Sequence, residues 1–136
     1  MSKYTPMKIL IAEDDPFMAT LIERVLTNKN FEVITATNGS EALKIATLEN
    51  PDLIITDISM PITSGLELIK FVNSEFGKKI PIIVLSGMDE EATVLEAFEL
   101  GAEDFLTKPF NPRELLIRVN RLLIKSSKEK HLSSLV

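Results

Sequence analysis

Five short runs of apolar residues punctuate the chain: Ile9 to Ala12, Phe31 to Ala36, Leu53 to Thr56, Ile80 to Leu85, and Asp104 to Thr107. Each is the length of a strand and is bounded by Pro, Gly, Asn or charged residues. The first, third and fourth are almost wholly apolar, as strands buried on both faces must be. Phe31 to Ala36 alternates apolar and polar positions and reads as an edge strand.

Between these runs the apolar period changes to that of a helix. Asp15 followed by Pro16 is a helix start, with Phe17, Leu21 and Val25, flanked by Ile22 and Leu26, as its apolar face. Asn38-Gly39 marks a turn with Ser40 as the expected N-cap, ahead of a short helix carrying Ala42, Leu43, Ile45 and Ala46. Ser64-Gly65-Leu66-Glu67 has capping-box form and opens a helix through Leu68, Ile69, Val72 and Phe76 to Gly77. Asp89 to Leu100 has helical spacing at Ala92, Leu95 and Phe98, with Val94 and Ala97 beside them and Gly101 as its terminator. Asn111-Pro112-Arg113-Glu114 starts the last helix, whose core stripe is Leu115, Leu116, Val119, Leu122 and Leu123.

Five alternations of strand and helix with short loops imply right-handed crossovers. The expected fold is α/β, a doubly wound five-stranded parallel sheet with helices on both faces. Residues 1–125 form one domain in this reading, and 126–136, with serines and mixed charge, read as a helix end or linker tail.

Composition narrows the functions available. A net charge of −5 and a pI near 4.9 disfavour direct contact with nucleic acid or an anionic membrane. The absence of cysteine excludes a disulfide framework, a thiolate nucleophile and a Cys-based metal site. No apolar run approaches the roughly 18 residues of a membrane span, and the chain reads as soluble and cytoplasmic.

The chemistry lies where the strands end. Glu13 and Asp14 follow the first, Asp57 the third, Ser86 the fourth and Lys108 the fifth. In a doubly wound sheet the carboxyl ends of the strands share one edge, so these groups converge. Three converging carboxylates repel one another, and Lys108 offsets a single charge. A hard divalent cation such as Mg²⁺ suits the remaining oxygens. Metal, carboxylate, lysine and hydroxyl together are what phosphoryl transfer needs, with an Asp oxygen attacking in line.

Ile9 to Asp15, Asp57-Ile58-Ser59-Met60-Pro61 with Gly65, Ser86-Gly87, and Gly101 to Phe110 together resemble the receiver domain of two-component response regulators. The resemblance spans about Lys8 to Lys125 and implies a flavodoxin-like fold. It also implies a phosphorylation-activated signalling switch: Mg²⁺-dependent phosphoryl transfer onto Asp57 from a sensor histidine kinase or a histidine phosphotransfer protein. Asp14 and Asp57 would bind Mg²⁺ through carboxylates and Ser59 through its backbone carbonyl, with Glu13 acting through water. Lys108 would pair with the phosphoryl group. Ser86 would be the switch hydroxyl and Phe105 the switch aromatic, standing where the family commonly has Tyr. A cis peptide at Lys108-Pro109 is implied as well. Met88, two residues after Ser86, offers no polar group to orient a hydrolytic water, which implies slow self-dephosphorylation.

The readout face implied by the resemblance joins the fourth helix, the fifth strand and the fifth helix. It carries Leu95, Phe98, Ile117 and Ile124 beside Glu99, Asp104 and Arg118. It is similar to the face that forms a symmetric homodimer in receivers attached to winged-helix domains, although Val94 and Asn120 stand where basic residues are usual. Rival readings are weaker. A haloacid-dehalogenase-type phosphatase needs an acid where Ser59 stands, and serine hydrolysis needs a base, yet the one histidine is His131 in the tail. The remaining alternative is a receiver-like interaction module that is not phosphorylated.

Overall fold

The five apolar runs become the strands β1 (Lys8–Ala12), β2 (Glu32–Ala36), β3 (Leu53–Asp57), β4 (Ile82–Ser86) and β5 (Asp104–Thr107). They alternate with the helices α1 (Pro16–Thr27), α2 (Gly39–Glu49), α3 (Gly65–Glu75), α4 (Glu91–Leu100) and α5 (Pro112–Ser134). This computed structural model describes residues 6–60, 62–75 and 80–134, with side chains up to Ser126. Pro61, Phe76 and Gly77, and the His131 side chain, lie outside the described residues.

All strands are parallel, in the order β2-β1-β3-β4-β5, so β2 is an edge as its alternating pattern suggests. The sheet sorts its residues by parity. Leu10, Ala12, Ile54, Ile82 and Val84 face α2, α3 and α4. Ile9, Ile11, Leu53, Ile55, Ile83 and Leu85 face α1 and α5. Because β1, β3 and β4 are covered on both faces, their residues have no polar side to keep, which is why they read as unbroken apolar runs.

Several expected local signals form. Asp15 caps α1 by accepting from the Phe17 amide. Ser64 and Glu67 make the reciprocal capping box, the Glu67 amide donating to Ser64 Oγ and the Ser64 amide to Glu67 Oε1. Gly101 ends α4 with φ 121°, where an L side chain would be strained.

Other local expectations are corrected. Asn38, not Ser40, caps α2, its Oδ1 accepting from the Glu41 amide. On α1 the buried pair is Ile22 and Leu26, while Phe17 is 81 % exposed and Leu21 is exposed too. Helix α1 carries apolar residues around more than one stripe, and only docking on the sheet chooses which stripe is buried. On α4 the buried residues are Val94 and Ala97, and Leu95 and Phe98 point outward, on the side expected for the readout face. The last helix, Pro112–Ser134, takes in part of the stretch read as a helix end or linker tail.

Candidate phosphoacceptor site

Register brings the acidic residues together. Ala12 pairs with Thr56 across β1 and β3, so the next residue on each, Glu13 and Asp57, stand side by side at the sheet's carboxyl edge. Ser86 pairs with Thr107 across β4 and β5, which puts Lys108 one step beyond. Lys108 Nζ then donates to Glu13 Oε1 at 2.7 Å and lies 2.9 Å from Asp57 Oδ1. Glu13 and Asp57 are both buried, and Asp14 is exposed at the pocket's mouth. The Lys108-Pro109 peptide is cis.

Carboxylate oxygens of Glu13, Asp14 and Asp57 lie within 4.8 Å of one another. A hard divalent cation prefers such an all-oxygen donor set, and the exposed Asp14 leaves the solvent side open for retained waters. The donor set therefore fits Mg²⁺.

Electrostatics within the cluster are uneven. The Asp57 carboxyl is pushed up to about 8, first by burial and then by its hydrogen bond with Glu13, against the opposing pull of Lys108. Burial also works against the charge on Glu13, but hydrogen bonds from Asp57 and Lys108 outweigh it and hold that carboxyl below its ordinary range. Lys108 is likewise disfavoured by burial, and the two acids more than compensate, raising its pKa. The metal-free pocket thus holds one proton on the Asp57–Glu13 pair beside a charged lysine.

Close packing fixes Asp57 from behind. A Cβ on Gly65 would lie 2.2 Å from the Asp57 carbonyl oxygen, so the start of α3 can pass there only as glycine. The Gly65 amide also donates to the Ile58 carbonyl at 2.9 Å.

Ser86 is buried beside the pocket, its hydroxyl making a long 3.5 Å hydrogen bond to the Leu106 carbonyl. Phe105 is 39 % exposed and meets Phe98 edge to face, with ring centroids 5.9 Å apart. An apolar hollow of about 520 Å³ lies between them, lined by Ser86, Met88, Val94, Leu95, Phe98 and Phe105 among others. The expected switch residues are thus adjacent, and there is room inward for the Phe105 ring.

Three features were not foreseen in the sequence. Glu90 reaches back to the pocket rim, where Ser59 Oγ donates to its Oε2 at 2.8 Å and the Gly87 amide donates to its Oε1. Ile62, in the loop after Asp57, has φ 72°, an uncommon and strained conformation for a β-branched residue. Asp104 is buried rather than presented outward: Arg118 Nη1 holds both its oxygens, at 3.0 and 3.1 Å, and Arg121 pairs with it too.

A model of the response regulator receiver domain matches residues 9–120. The chain belongs to the response regulator receiver family. It is 41 % identical over 119 residues to the alkaline phosphatase synthesis transcriptional regulatory protein PhoP of Bacillus subtilis, covering 88 % of this chain and 49 % of that protein. It is 34 % identical to the transcriptional regulatory protein ResD of the same organism, covering 98 % of this chain and 55 % of ResD. The chain therefore spans about half the length of the curated relatives it matches. Among solved structures it is similar to the chemotaxis response regulator CheY4 of Vibrio cholerae, with 34 % identity, a TM-score of 0.81, and 87 % and 99 % of the two chains covered. The five-stranded parallel sheet of this receiver domain, with helices on both faces, is the fold read from the sequence. No helix among the described residues is long and apolar enough to cross a membrane.

Proposed function

We propose that this receiver domain is the phosphoacceptor switch of a two-component system, taking its phosphoryl group on Asp57 from a histidine kinase or phosphotransfer protein, and that it acts on no external metabolite. The observation that carries the reading is the bridge from Lys108 to both Glu13 and Asp57 beneath an open, exposed Asp14. A phosphohistidine brought to the rim presents phosphorus to the Asp57 oxygen. That oxygen forms the new P–O bond as the P–N bond breaks, and the bonding pair leaves with the imidazole nitrogen. Lys108 keeps its charge and pairs with a phosphoryl oxygen, while the Ser86 hydroxyl donates to another. Mg²⁺ held by Asp14, Asp57 and the Ser59 carbonyl, with Glu13 acting through water, would favour the ionised form of Asp57 and offset charge on the phosphoryl oxygens. Hydrolysis of the acyl phosphate returns Asp57 and inorganic phosphate, slowly in this reading because Met88 cannot orient water.

The test is incubation of the purified chain with acetyl phosphate and Mg²⁺. One base-labile phosphoryl group per chain is expected, and none when EDTA removes the metal. No uptake with metal present would overturn the reading.

The protein acts in the cytoplasm in this proposal, with no direct nucleic-acid or membrane contact. Once Ser86 turns toward the phosphoryl group, the Phe105 ring fills the hollow behind it and alters the face of α4, β5 and α5. That face exposes Leu95, Phe98, Ile117 and Ile124, which suits a phosphorylation-enhanced homodimer. Sedimentation with beryllofluoride, a stand-in for the phosphoryl group, is expected to show a dimer that Arg118→Glu and Leu95→Lys each abolish. Leu95 keeps the test independent of the Asp104 pair, which Arg118→Glu would also break. A monomer in both states would remove the dimer from the proposal.

A further inference from the structure

Glu90 stands at the start of α4, where a side chain commonly caps the free amides of the first turn. It makes no such cap. Its carboxylate instead accepts from two donors next to the phosphoacceptor and switch residues, Ser59 Oγ and the Gly87 amide. These donors sit on different loops. Ser59 is two residues past Asp57, between β3 and α3, and Gly87 directly follows Ser86, between β4 and α4. One carboxylate therefore ties together the two loops that flank Asp57.

We infer that Glu90 is a clasp that holds the Ser86 loop in its unphosphorylated position and must open when Asp57 is phosphorylated. The inference rests on the phosphoacceptor reading above. Two physical effects open it. A phosphoryl group brings nearly two negative charges to a rim where Glu90 is already a carboxylate, and like charges repel. Any shift of the Ser86 backbone toward that group carries the adjoining Gly87 amide, whose hydrogen is bound to Glu90. The contact is thus made in one state and lost in the other, which is the condition for biasing a two-state equilibrium. Glu90 lowers the apparent affinity of the pocket for a phosphoryl group by weighting the resting state.

Calorimetric titration with beryllofluoride at saturating Mg²⁺ tests this on the full chain. Glu90→Ala is expected to bind about tenfold tighter than wild type, the scale of losing hydrogen bonds to a charged acceptor. Glu90→Gln, which keeps the shape and one acceptor, should gain less, and it carries the test if the alanine variant does not fold. Adding Ser59→Ala to Glu90→Ala should give no further gain, because both remove the same contact. A side chain with a merely structural role would leave the affinity unchanged. Unchanged or weaker binding in both Glu90 variants, or gains that add in the double variant, overturns the clasp while leaving the phosphoacceptor reading intact. A wild-type chain that takes up no beryllofluoride overturns both.

Discussion

Asp57→Asn is expected to abolish phosphoryl uptake from acetyl phosphate and Mg²⁺ completely, as read by intact mass. An amide oxygen carries no full negative charge, and the product of its attack would not be a stable acyl phosphate. The substitution preserves shape, and an amide can still accept from Lys108, so the pocket should remain assembled around the missing nucleophile. The other two acids are poor substitutes. Glu13 is buried against Lys108, and Asp14 lies at the mouth, away from the lysine bridge among the described contacts. Labelling that persists in Asp57→Asn would move the acceptor to one of them and remove Asp57 from its assigned role.

The same substitution is expected to stabilise the metal-free fold, and increasingly so as the pH rises. The folded carboxyl of Asp57 is pushed up to about 8, mainly by burial, against an ordinary value of 3.8. Between those values the folded state holds a proton that the unfolded chain has released. Stability therefore falls as pH rises through this window and levels off above about 8. Glu13 shifts the other way, but its lowered carboxyl acts below its ordinary 4.5, and the raised Lys108 acts above 10.5. Among the described groups, Asp57 is the one whose shift falls between pH 5 and 8. Asp57→Asn carries no such proton, so its advantage in EDTA should be small at pH 5 and reach roughly 5 °C or more in Tm at pH 8, a kcal/mol shifting Tm by about 4 °C at this size. A Tm difference that does not change between pH 5 and 8 would contradict the raised carboxyl.

Asp57, Glu13 and Lys108 were legible because each terminates an apolar run, and the switch-point geometry of doubly wound sheets sends all such ends to one edge. The Lys108–Glu13 bond links residues 95 apart in sequence, yet it follows from knowing the order of the strands and where each one stops. Glu90 was not legible. It ends no strand, and its bond to Ser59 spans two loops whose conformations no local pattern specifies.

The chain's pattern by itself determined the alternation of strands and helices, the burial of β1, β3 and β4, and the cap residues Asp15, Ser64 and Gly101. These depend on neighbours within a turn or on a strand's own composition. Tertiary structure alone decided which stripe of α1 is buried, leaving Phe17 and Leu21 outside, because a helix with apolar residues on two sides has no preferred face until it meets the sheet. It also decided that Asp104 is held within the chain by Arg118 and Arg121, and that Asn38 rather than Ser40 caps α2. Such choices hang on a side chain's distance to its partners, which the period of a sequence does not encode.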